Sequence, residues 1–364
     1  ILNVGKIKTG TIGTLGSDFG QVHWNSELTT PDPNVLFKVM SEMLKLGCEC
    51  IVMEASSHAL YLEKLSSLYA EVGVLTNCSR DHLDFFKTIE RYQDAKYKMF
   101  DQKMIKWAVV NGDDILGKRI IENNPLPIVR YGKNEAYEIS FSNLTYNNKT
   151  EFDVTFGQKT HHVTTDLIGE FNVYNILAGI ATARLLNVSE ENIFTAVKNM
   201  KVVGGRFEKI PNNFGLNIVI DFAHTPDSVE NVIKTAKNID KKAKIITVIG
   251  CGGDRDRGKR AIMGQIATEQ SDYVVVVTTD NPRSENPLQI LADIERGINQ
   301  QTASYAVIEG RKLAIEHAIS KANQGDFVLI LGKGKEEYID IEGVKYPYSD
   351  YTSVYEILEK MKAD

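Results

Sequence analysis

The stretch AKIITVIGCGGDRDRGKRAIMGQIA, residues 243–267, decides the fold class of this chain. Its first part, residues 244–250, is rich in β-branched side chains and predicts a buried parallel strand. A glycine-rich turn follows this strand, and helical spacing begins near Arg260. A strand, a tight turn and a helix in this order form one unit of a doubly wound α/β sheet.

The turn of this unit carries four cations, Arg255, Arg257, Lys259 and Arg260. Free amides and the helix dipole at a helix N-terminus both favour negative charge, so the turn predicts an anion site. Gly253, Gly258 and Lys259 also fit the GxxxxGK part of a nucleotide P-loop. Arg260, however, stands where a Ser or Thr should hold magnesium, and GxxxxGK[ST] occurs nowhere in the 364 residues. We therefore interpret the turn as an anion loop.

A second loop, TTDNPRSENP at residues 278–287, follows the apolar run DYVVVV. This run predicts another buried parallel strand, which puts Asp280, Asn281 and Arg283 at its carboxyl end, where open α/β sheets bind ligands. The planar fork of Arg283 suits a carboxylate or phosphate, and Pro282 restricts the backbone beside it. A capped turn with a solvated arginine is the alternative. Two cationic loops at adjacent strand ends predict a substrate that carries carboxylates.

The remaining elements predict two domains. Strands and helices alternate over residues 33–110, short alternating segments at residues 138–163 indicate a small antiparallel β insertion, and two helices follow it. Strand and helix alternation resumes at Leu216. We expect an α/β protein with a doubly wound central ATPase-type domain at residues 1–205 and a Rossmann-like C-terminal domain at residues 206–364. The paired Gly204 and Gly205 suggest a hinge between them.

Composition excludes several classes of function. The chain is 43% hydrophobic and 25% charged with a net charge of −6, so no overall basic field favours nucleic acid or anionic lipid. It has no apolar run of about 18 residues, as a membrane span requires. Its four scattered cysteines predict neither a disulfide framework nor a zinc site, which fits a reducing cytoplasm. GxGxxG is also missing from the glycine-rich turn, which argues against a nicotinamide-dependent oxidoreductase.

A possible metal site lies in the first half of the chain. Glu54 ends an apolar run in VMEASSHAL, and His82 follows the next run in TNCSRDHLDFF. A carboxylate and an imidazole at neighbouring strand ends suit magnesium completed by nucleotide phosphates, although His is an uncommon Mg²⁺ ligand. A helix cap or turn is the alternative for each residue. Lys96, in ERYQDAKYKMF, reads by itself as an ordinary lysine on a charged helix face.

Eight collinear motifs give the chain a specific resemblance: MEASSHAL, SRDHLDFF, GEFNVYN, GGRFE, DFAHTPDS, GCGGDRDRGKR, DNPRSENP and LGKGKEEY. Over essentially its whole length the chain resembles the Mur ligases, and most nearly the branch that adds meso-diaminopimelate to UDP-MurNAc-L-Ala-D-Glu. The resemblance implies an ATP- and Mg²⁺-dependent amide ligase that acts through an acyl phosphate in peptidoglycan precursor synthesis. We expect it to act as a monomer, with no nucleic acid or membrane partner.

The resemblance also implies roles for individual residues. Glu54 and His82 match magnesium ligands, and Lys96 matches a catalytic N-carboxylated lysine (N6-carboxylysine) whose carbamate holds a second metal ion. The positions that match contacts to the UDP-muramoyl substrate are Thr29, Thr30, Ser56 and Lys64. The positions that match the ATP surroundings are Asn172, Arg206, Asp221 and His224. The positions that match the pocket for the incoming diamino acid are Arg255, Asn281, Arg283, Gly332 and Glu336. His224 and a phosphate oxygen are alternative proton acceptors for the amine.

Three departures from the family pattern qualify these expectations. The family's P-loop, expected upstream of Gly5, does not occur in these residues, so we expect the 364 residues alone not to turn over. Lys64 stands where relatives usually have Arg, and Lys335 replaces a common His. Arg283 and Glu336 together favour the zwitterionic tail of meso-diaminopimelate. L-lysine, lanthionine, a folate-glutamylating ligase and a non-catalytic binding protein are the alternatives.

Overall fold

The computed structural model describes residues 1–26, 28–146, 149–276, 280–301 and 303–363. Thr278 and Thr279 of the second cationic loop, and Val277 of the strand expected before it, lie outside these ranges. The described residues form three larger β-sheets and a hairpin, with helices between the strands. None of the helices in these ranges is long and apolar enough to cross a membrane.

The first sheet has the order β3-β2-β1-β4. Its strands are β1 (Thr9–Gly13), β2 (Gly16–Phe19), β3 (Val22–Trp24) and β4 (Cys50–Met53). β1, β2 and β3 form an antiparallel meander, and β4 lies parallel to β1 after helix α1 (Pro33–Lys45). Helix α1 begins with a proline in its first turn and buries Leu36, Val39 and Met43 against the sheet.

The second sheet has the order β10-β9-β8-β7-β6-β5. Its strands are β5 (Ala70–Leu75), β6 (Ile105–Asn111), β7 (Ile128–Gly132), β8 (Ile139–Tyr146), β9 (Thr150–Phe156) and β10 (Lys159–Thr165). The helices of this region are α2 (Ser57–Tyr61), α3 (Leu83–Phe86), α4 (Ile89–Tyr97), α5 (Ile115–Asn123), α6 (Glu170–Leu185) and α7 (Glu190–Lys198). β5 to β8 run parallel, and β9 and β10 pair antiparallel at the edge. The predicted β insertion therefore extends the parallel sheet.

The third sheet has the order β11-β12-β16-β13-β14-β15. Its strands are β11 (Glu208–Ile210), β12 (Asn217–Asp221), β13 (Ile245–Ile249), β14 (Tyr273–Val276), β15 (Tyr305–Val307) and β16 (Phe327–Leu331). Its helices are α8 (Pro226–Ile239), α9 (Gly258–Gln270), α10 (Pro287–Glu295), α11 (Arg311–Ser320) and α12 (Asp350–Ala363). Helices α8 to α10 share one hydrophobic core with the sheet, and α11 and α12 share another. The doubly wound, Rossmann-like prediction is confirmed.

A hairpin of β17 (Tyr338–Ile341) and β18 (Val344–Pro347) follows β16. It contacts the loop after β14 through a parallel bridge between Arg283 and Ile341. The carboxyl ends of β12, β13, β14 and β16 lie at one edge of the third sheet, because these four strands run parallel. The hairpin therefore lies beside the edge where the predicted binding loops begin.

Gly205 lies against the C-terminal part of the chain. Its φ is +71°, and a Cβ there would lie 2.6 Å from the Lys335 amide nitrogen and 2.8 Å from the Gly334 backbone. The Phe222 amide donates to the Gly205 carbonyl at 2.9 Å. Glycine is therefore required at 205 by close packing. The domain boundary between residues 205 and 206 stays a prediction.

Candidate functional site

The loops after β14 and β16 meet in one polar pocket. Asn281 donates from Nδ2 to Oε2 of Glu336 at 2.8 Å. The fully buried Lys333 donates from Nζ to the same Glu336 oxygen at 2.5 Å and to the Asp280 carbonyl at 2.9 Å. Glu336 is thus a fixed carboxylate that remains 20% exposed. The structure brings together Asn281 and Glu336, as the resemblance implies.

Arg283 lies beside this carboxylate in a left-handed backbone conformation, with φ +51°. Its Nη1 donates to the Gly253 carbonyl at 2.6 Å, and its Nε lies 3.6 Å from Oδ2 of Asp340. Burial lowers the pKa of Arg283, and the positive charge of Arg255 lowers it further. The Arg283 side chain is 24% exposed, so an anion from solvent can still reach it.

Gly332 closes the pocket from the end of β16. Its φ is +115°, and a Cβ there would lie 2.6 Å from Oδ2 of Asp280. The Gly332 amide also donates to the Asp221 carbonyl at 3.1 Å. A side chain at 332 would push the Asp280 carboxylate away from Arg311, whose Nη1 donates to it at 2.7 Å. This glycine therefore holds the β14 and β16 loops in contact.

The anion loop after β13 differs from the prediction. Arg260 is fully buried and donates to Glu285 and Asp293, and Arg257 also pairs with Glu285. Lys259 is buried and lies 3.1 Å from Asp81. The prediction of four substrate-facing cations is wrong for these three, because carboxylates distant in sequence already neutralise them.

Arg255 of the same loop is exposed, and its Nη1 donates to the carbonyl of Asp254 at 3.2 Å. Helix α9 begins at Gly258, two residues before the expected start, and Arg257 is its N-cap. Arg257 is tied to Glu285 in the buried network of Arg260, whereas the Arg255 side chain donates to a backbone carbonyl. Arg255 and Arg283 are close enough for their positive charges to interact.

A second cluster lies at the carboxyl end of β4. Thr14 donates to Glu54 from its amide at 3.1 Å and from its hydroxyl at 2.9 Å, and its hydroxyl lies 3.1 Å from that of Thr29. Thr30 donates to the Glu54 carbonyl at 2.7 Å and accepts from the Ser56 amide at 3.0 Å. The structure therefore brings together Thr29, Thr30, Glu54 and Ser56. The sequence analysis missed Thr14, which follows the segment TGTIG at residues 9–13.

Lys64, the fourth residue matched to the muramoyl substrate, forms an ion pair with Asp32 at 2.5 Å. Asp32 is also the N-cap of α1, although its side chain makes no capping hydrogen bond. The Lys64 side chain is 21% exposed. The ammonium group is therefore already neutralised in this structure, and a substrate anion would have to share it.

His82 follows β5 in a left-handed conformation with φ +57°, at the start of α3. Its Nε2 lies 3.5 Å from Oδ2 of Asp81, and its ring packs on that of His58 at 4.8 Å. Burial lowers the pKa of His82, which favours the neutral imidazole that a metal requires. Across the described ranges, however, no three His, Cys, Asp or Glu side chains gather as metal ligands. The metal roles of Glu54 and His82 stay predictions.

Lys96 projects from α4 toward the carboxyl end of β5. Its Nζ donates to the carbonyl of Asn77 at 2.9 Å and lies 5.1 Å from the centre of the Tyr92 ring. Asn77 lies two residues beyond β5, in the segment that leads to His82. The ammonium group is therefore directed at the same sheet edge as His82, and its carboxylation stays a prediction.

The residues matched to ATP lie in α6 and around the end of β12. Asn172, in the first turn of α6, donates to the Ile168 carbonyl at 2.8 Å. The Arg206 guanidinium stacks over the Phe222 ring at 4.9 Å. Asp221 is buried, which raises its pKa, and it accepts hydrogen bonds from the amides of Phe207 and Ala223, each at 2.7 Å. Arg206 and Asp221 therefore lie together at the end of β12.

His224 follows Asp221 and faces acceptors with both ring nitrogens. Its Nδ1 lies 2.8 Å from the Phe222 carbonyl, and its Nε2 lies 3.6 Å from Oδ2 of Asp81. A carbonyl can only accept, so Nδ1 is placed to donate to Phe222, while Nε2 is directed toward the Asp81 carboxylate.

The two predicted domains contact each other through Arg80 and Asp81, in the segment that follows β5. Arg80 donates from Nε and Nη2 to the two carboxylate oxygens of Asp256 at 3.0 and 3.3 Å. Asp81 lies between Lys259 and His224. Burial raises the pKa of Asp81, but the His224 hydrogen bond and the charge of Lys259 hold it well below its usual range. The sequence analysis missed these partners, which lie more than 140 positions apart.

Comparisons with known proteins agree with this architecture. A family model described as Mur ligase middle domain matches residues 1–183, and one described as Mur ligase, glutamate ligase domain matches residues 205–334. The chain is 41% identical to UDP-N-acetylmuramoyl-L-alanyl-D-glutamate--2,6-diaminopimelate ligase of Aquifex aeolicus, with 96% of this chain and 72% of that protein covered. The enzyme of the same name from Bacillus cereus is 40% identical, with 91% and 68% covered.

Solved structures show the same relationship. A structure of UDP-N-acetylmuramoyl-L-alanyl-D-glutamate--2,6-diaminopimelate ligase matches with a TM-score of 0.67 at 32% identity, covering 99% of this chain and 74% of that one. MurF ligase from Thermotoga maritima, in complex with ADP, shares the fold with a TM-score of 0.70 at 17% identity, covering 99% and 75%. The predicted resemblance is confirmed, and the chain belongs to the Mur ligase family.

Proposed function

We propose that this chain is the catalytic part of an ATP-dependent ligase that joins meso-diaminopimelate to the D-glutamate of UDP-MurNAc-L-Ala-D-Glu in peptidoglycan precursor synthesis. The observation that carries this proposal is the pair of opposite charges in the C-terminal pocket, Arg283 and Glu336, on loops joined through Asn281. We also propose a boundary between the domains at residues 205 and 206, and action as a cytoplasmic monomer.

The pocket fits the distal end of a diamino acid. In meso-diaminopimelate that end carries a carboxylate and an ammonium on one carbon, so it needs a cation and an anion side by side. Arg283, with Arg255 nearby, would pair with the carboxylate. Glu336, held by Asn281 and Lys333, would accept hydrogen bonds from the ammonium.

The muramoyl substrate would bind to the central domain. Thr29, Thr30 and Ser56 lie together beside Glu54 and offer hydroxyl and amide groups to a polar substrate. Lys64 would contribute a positive charge that it now shares with Asp32. Because these groups lie at the carboxyl end of β4, the peptide end of the substrate would reach the edge shared with the C-terminal domain.

Glu54 and His82 would hold magnesium. The Glu54 carboxylate is exposed, and burial keeps the His82 imidazole neutral, so both suit a metal ion. Two protein ligands are also enough for Mg²⁺, which usually takes its other oxygens from phosphates and water. Bound Mg²⁺ neutralises phosphate oxygens. Carboxylation of Lys96 would replace a cation at this edge by an anion, which removes repulsion toward the metal.

The chain's own residues would position two successive reactions. The D-glutamyl carboxylate attacks the ATP γ-phosphate to give an acyl phosphate and ADP, and the amine then displaces phosphate to form the amide. Arg206 and Asp221 would hold the nucleotide, with Asn172 on the central domain, and His224 would lie near the phosphates beside Asp81. His224 and a phosphate oxygen are the alternative acceptors for the proton of the amine.

Isothermal titration calorimetry tests the proposal on this chain, because the pocket lies within it. We expect meso-diaminopimelate to bind more tightly than L-lysine, whose tail lacks the distal carboxylate. Equal or tighter binding of L-lysine would make an L-lysine-adding ligase the better assignment. That second candidate has one observation in its favour, the Asp340 carboxylate that already faces Arg283.

A further inference from the structure

The β17–β18 hairpin is joined to the amino-acid pocket by its backbone. The Arg283 amide donates to the Asp340 carbonyl at 2.9 Å, and the Glu342 amide donates to the Arg283 carbonyl at 3.0 Å. The Asp340 amide in turn donates to Oδ1 of Asn281 at 2.8 Å. Two hydrogen bonds of Asp340 and one of Glu342 therefore fix the hairpin relative to Asn281 and Arg283.

The Asp340 side chain is fixed as well. Its Oδ1 accepts from the Gly343 amide at 3.1 Å, and its Oδ2 lies 3.6 Å from Nε of Arg283. The carboxylate is only 19% exposed. The charged side chains that face Arg283 are Arg255, Asp340 and Glu336. Asp340 thus holds its carboxylate on the Nε side of the guanidinium.

This arrangement limits what Arg283 offers a ligand. One Nη1 proton is directed to the Gly253 carbonyl and the Nε side faces Asp340, so a carboxylate must approach the outer Nη corner. There it would share the partly buried surroundings of Arg283 with the Asp340 carboxylate, where like charges repel appreciably. A ligand with only an ammonium in its tail meets no such repulsion.

We propose that Asp340 is a specificity-determining residue, whose fixed carboxylate screens Arg283 and weakens the preference for substrate tails that carry a distal carboxylate. This inference rests on the proposed function of the pocket as a diamino-acid site. It assigns the hairpin a role in setting how strongly the enzyme distinguishes a zwitterionic tail from an ammonium tail.

The test measures affinity by calorimetry for three amino acids: meso-diaminopimelate, L-2-aminopimelate, which has the distal carboxylate without the ammonium, and L-lysine. Asp340→Asn removes the charge and keeps an oxygen for the Gly343 amide. We expect it to raise the affinity for L-2-aminopimelate about tenfold, to raise that for meso-diaminopimelate, and not to raise that for L-lysine, whose ammonium loses an attraction. Glu342→Gln, an exposed carboxylate on the same hairpin, is the matched control and should change none of the three.

A different pattern would overturn the inference. If Asp340→Asn weakens meso-diaminopimelate and L-lysine but not L-2-aminopimelate, Asp340 binds the distal ammonium instead. If no affinity changes, the carboxylate has no role in selection. Asp340→Ser, checked for an unchanged melting temperature, must give the same direction as Asp340→Asn. If the unmodified chain binds none of the three ligands, the proposed function of the pocket fails, and this inference fails with it.

Discussion

Glu285 joins the loop after β14 to the anion loop after β13, and its charge should contribute measurably to stability. Its Oε1 accepts from Nη2 of Arg260 at 2.8 Å and from the Asp254 amide at 2.6 Å, and its Oε2 accepts from Nη1 of Arg260 at 2.9 Å and from Arg257 at 2.8 Å. These hydrogen bonds, from Arg260 above all, lower the pKa of Glu285 from 4.5 to about 2.

The size of the effect follows from this pKa. At ~1.36 kcal/mol per pH unit, a fall from 4.5 to about 2 corresponds to about 3 kcal/mol of stability from the charged form of Glu285. Because the pKa is lower in the folded state, this stability is fully present above pH 4.5. It is lost progressively as the pH falls toward 2, and about half of it remains at pH 3.

Glu285→Gln removes the charge with little change of shape. We expect it to lower the free energy of opening of the C-terminal domain by about 3 kcal/mol at pH 7 and by about half as much at pH 3. Native-state hydrogen exchange of the β16 amides (Phe327–Leu331) measures this quantity for the C-terminal domain alone. Exposed Glu309→Gln is the control. A loss that is the same at both pH values, or smaller than about 0.5 kcal/mol, would refute the reasoning.

Arg283→Ala should weaken binding of meso-diaminopimelate by about 2 to 3 kcal/mol in calorimetry, because a charged hydrogen-bonding partner is lost, whereas Arg257→Ala should change it little. Lys96→Ala, in a protein that shows ligase activity, should lose activity that added formate or acetate partly restores. Unmodified protein should gain about 44 Da only in bicarbonate, and full activity of the Ala variant would leave Lys96 as an ordinary surface lysine. Arg80→Ala should increase the radius of gyration in small-angle scattering, because Asp256 loses its partner across the domains, and an unchanged radius would contradict this.

The strands of the C-terminal sheet were predictable because they are buried on both faces. β16 is a continuous apolar run and β13 is apolar apart from Thr247, and every residue of both is buried, so these two strands show no alternation. In α1 the periodicity predicts the helix but not its buried face. Val35 and Leu44 are apolar and helical, yet they are 50% and 70% exposed. The apolar pattern therefore predicts the existence of elements better than the side chains they bury.

The charges at the site were less predictable. Arg260 looked like an anion-binding residue, but its partners Glu285 and Asp293 lie 25 and 33 positions away, on another loop and helix. No local sequence pattern predicts ion pairs between residues so far apart in the chain. The β17–β18 hairpin was missed for a related reason: its strands have four residues each and are largely exposed, so they carry little apolar signal. Missing the hairpin also meant missing Asp340 beside Arg283.

The contacts of Gly205 favour residues 201–203 over Gly204 and Gly205 as the position of the expected hinge. Gly204 and Gly205 were expected to swing, but Gly205 packs against Gly334 and accepts a hydrogen bond from the Phe222 amide, so it moves with the C-terminal domain. Proline at 205 would therefore disturb packing whether or not a hinge exists. Residues 201–203 have no regular structure, and Val202 and Val203 are exposed. Rotation of the C-terminal domain about this segment would separate Arg80 from Asp256 and Asp81 from Lys259, while the pocket around Glu336 moved as one body.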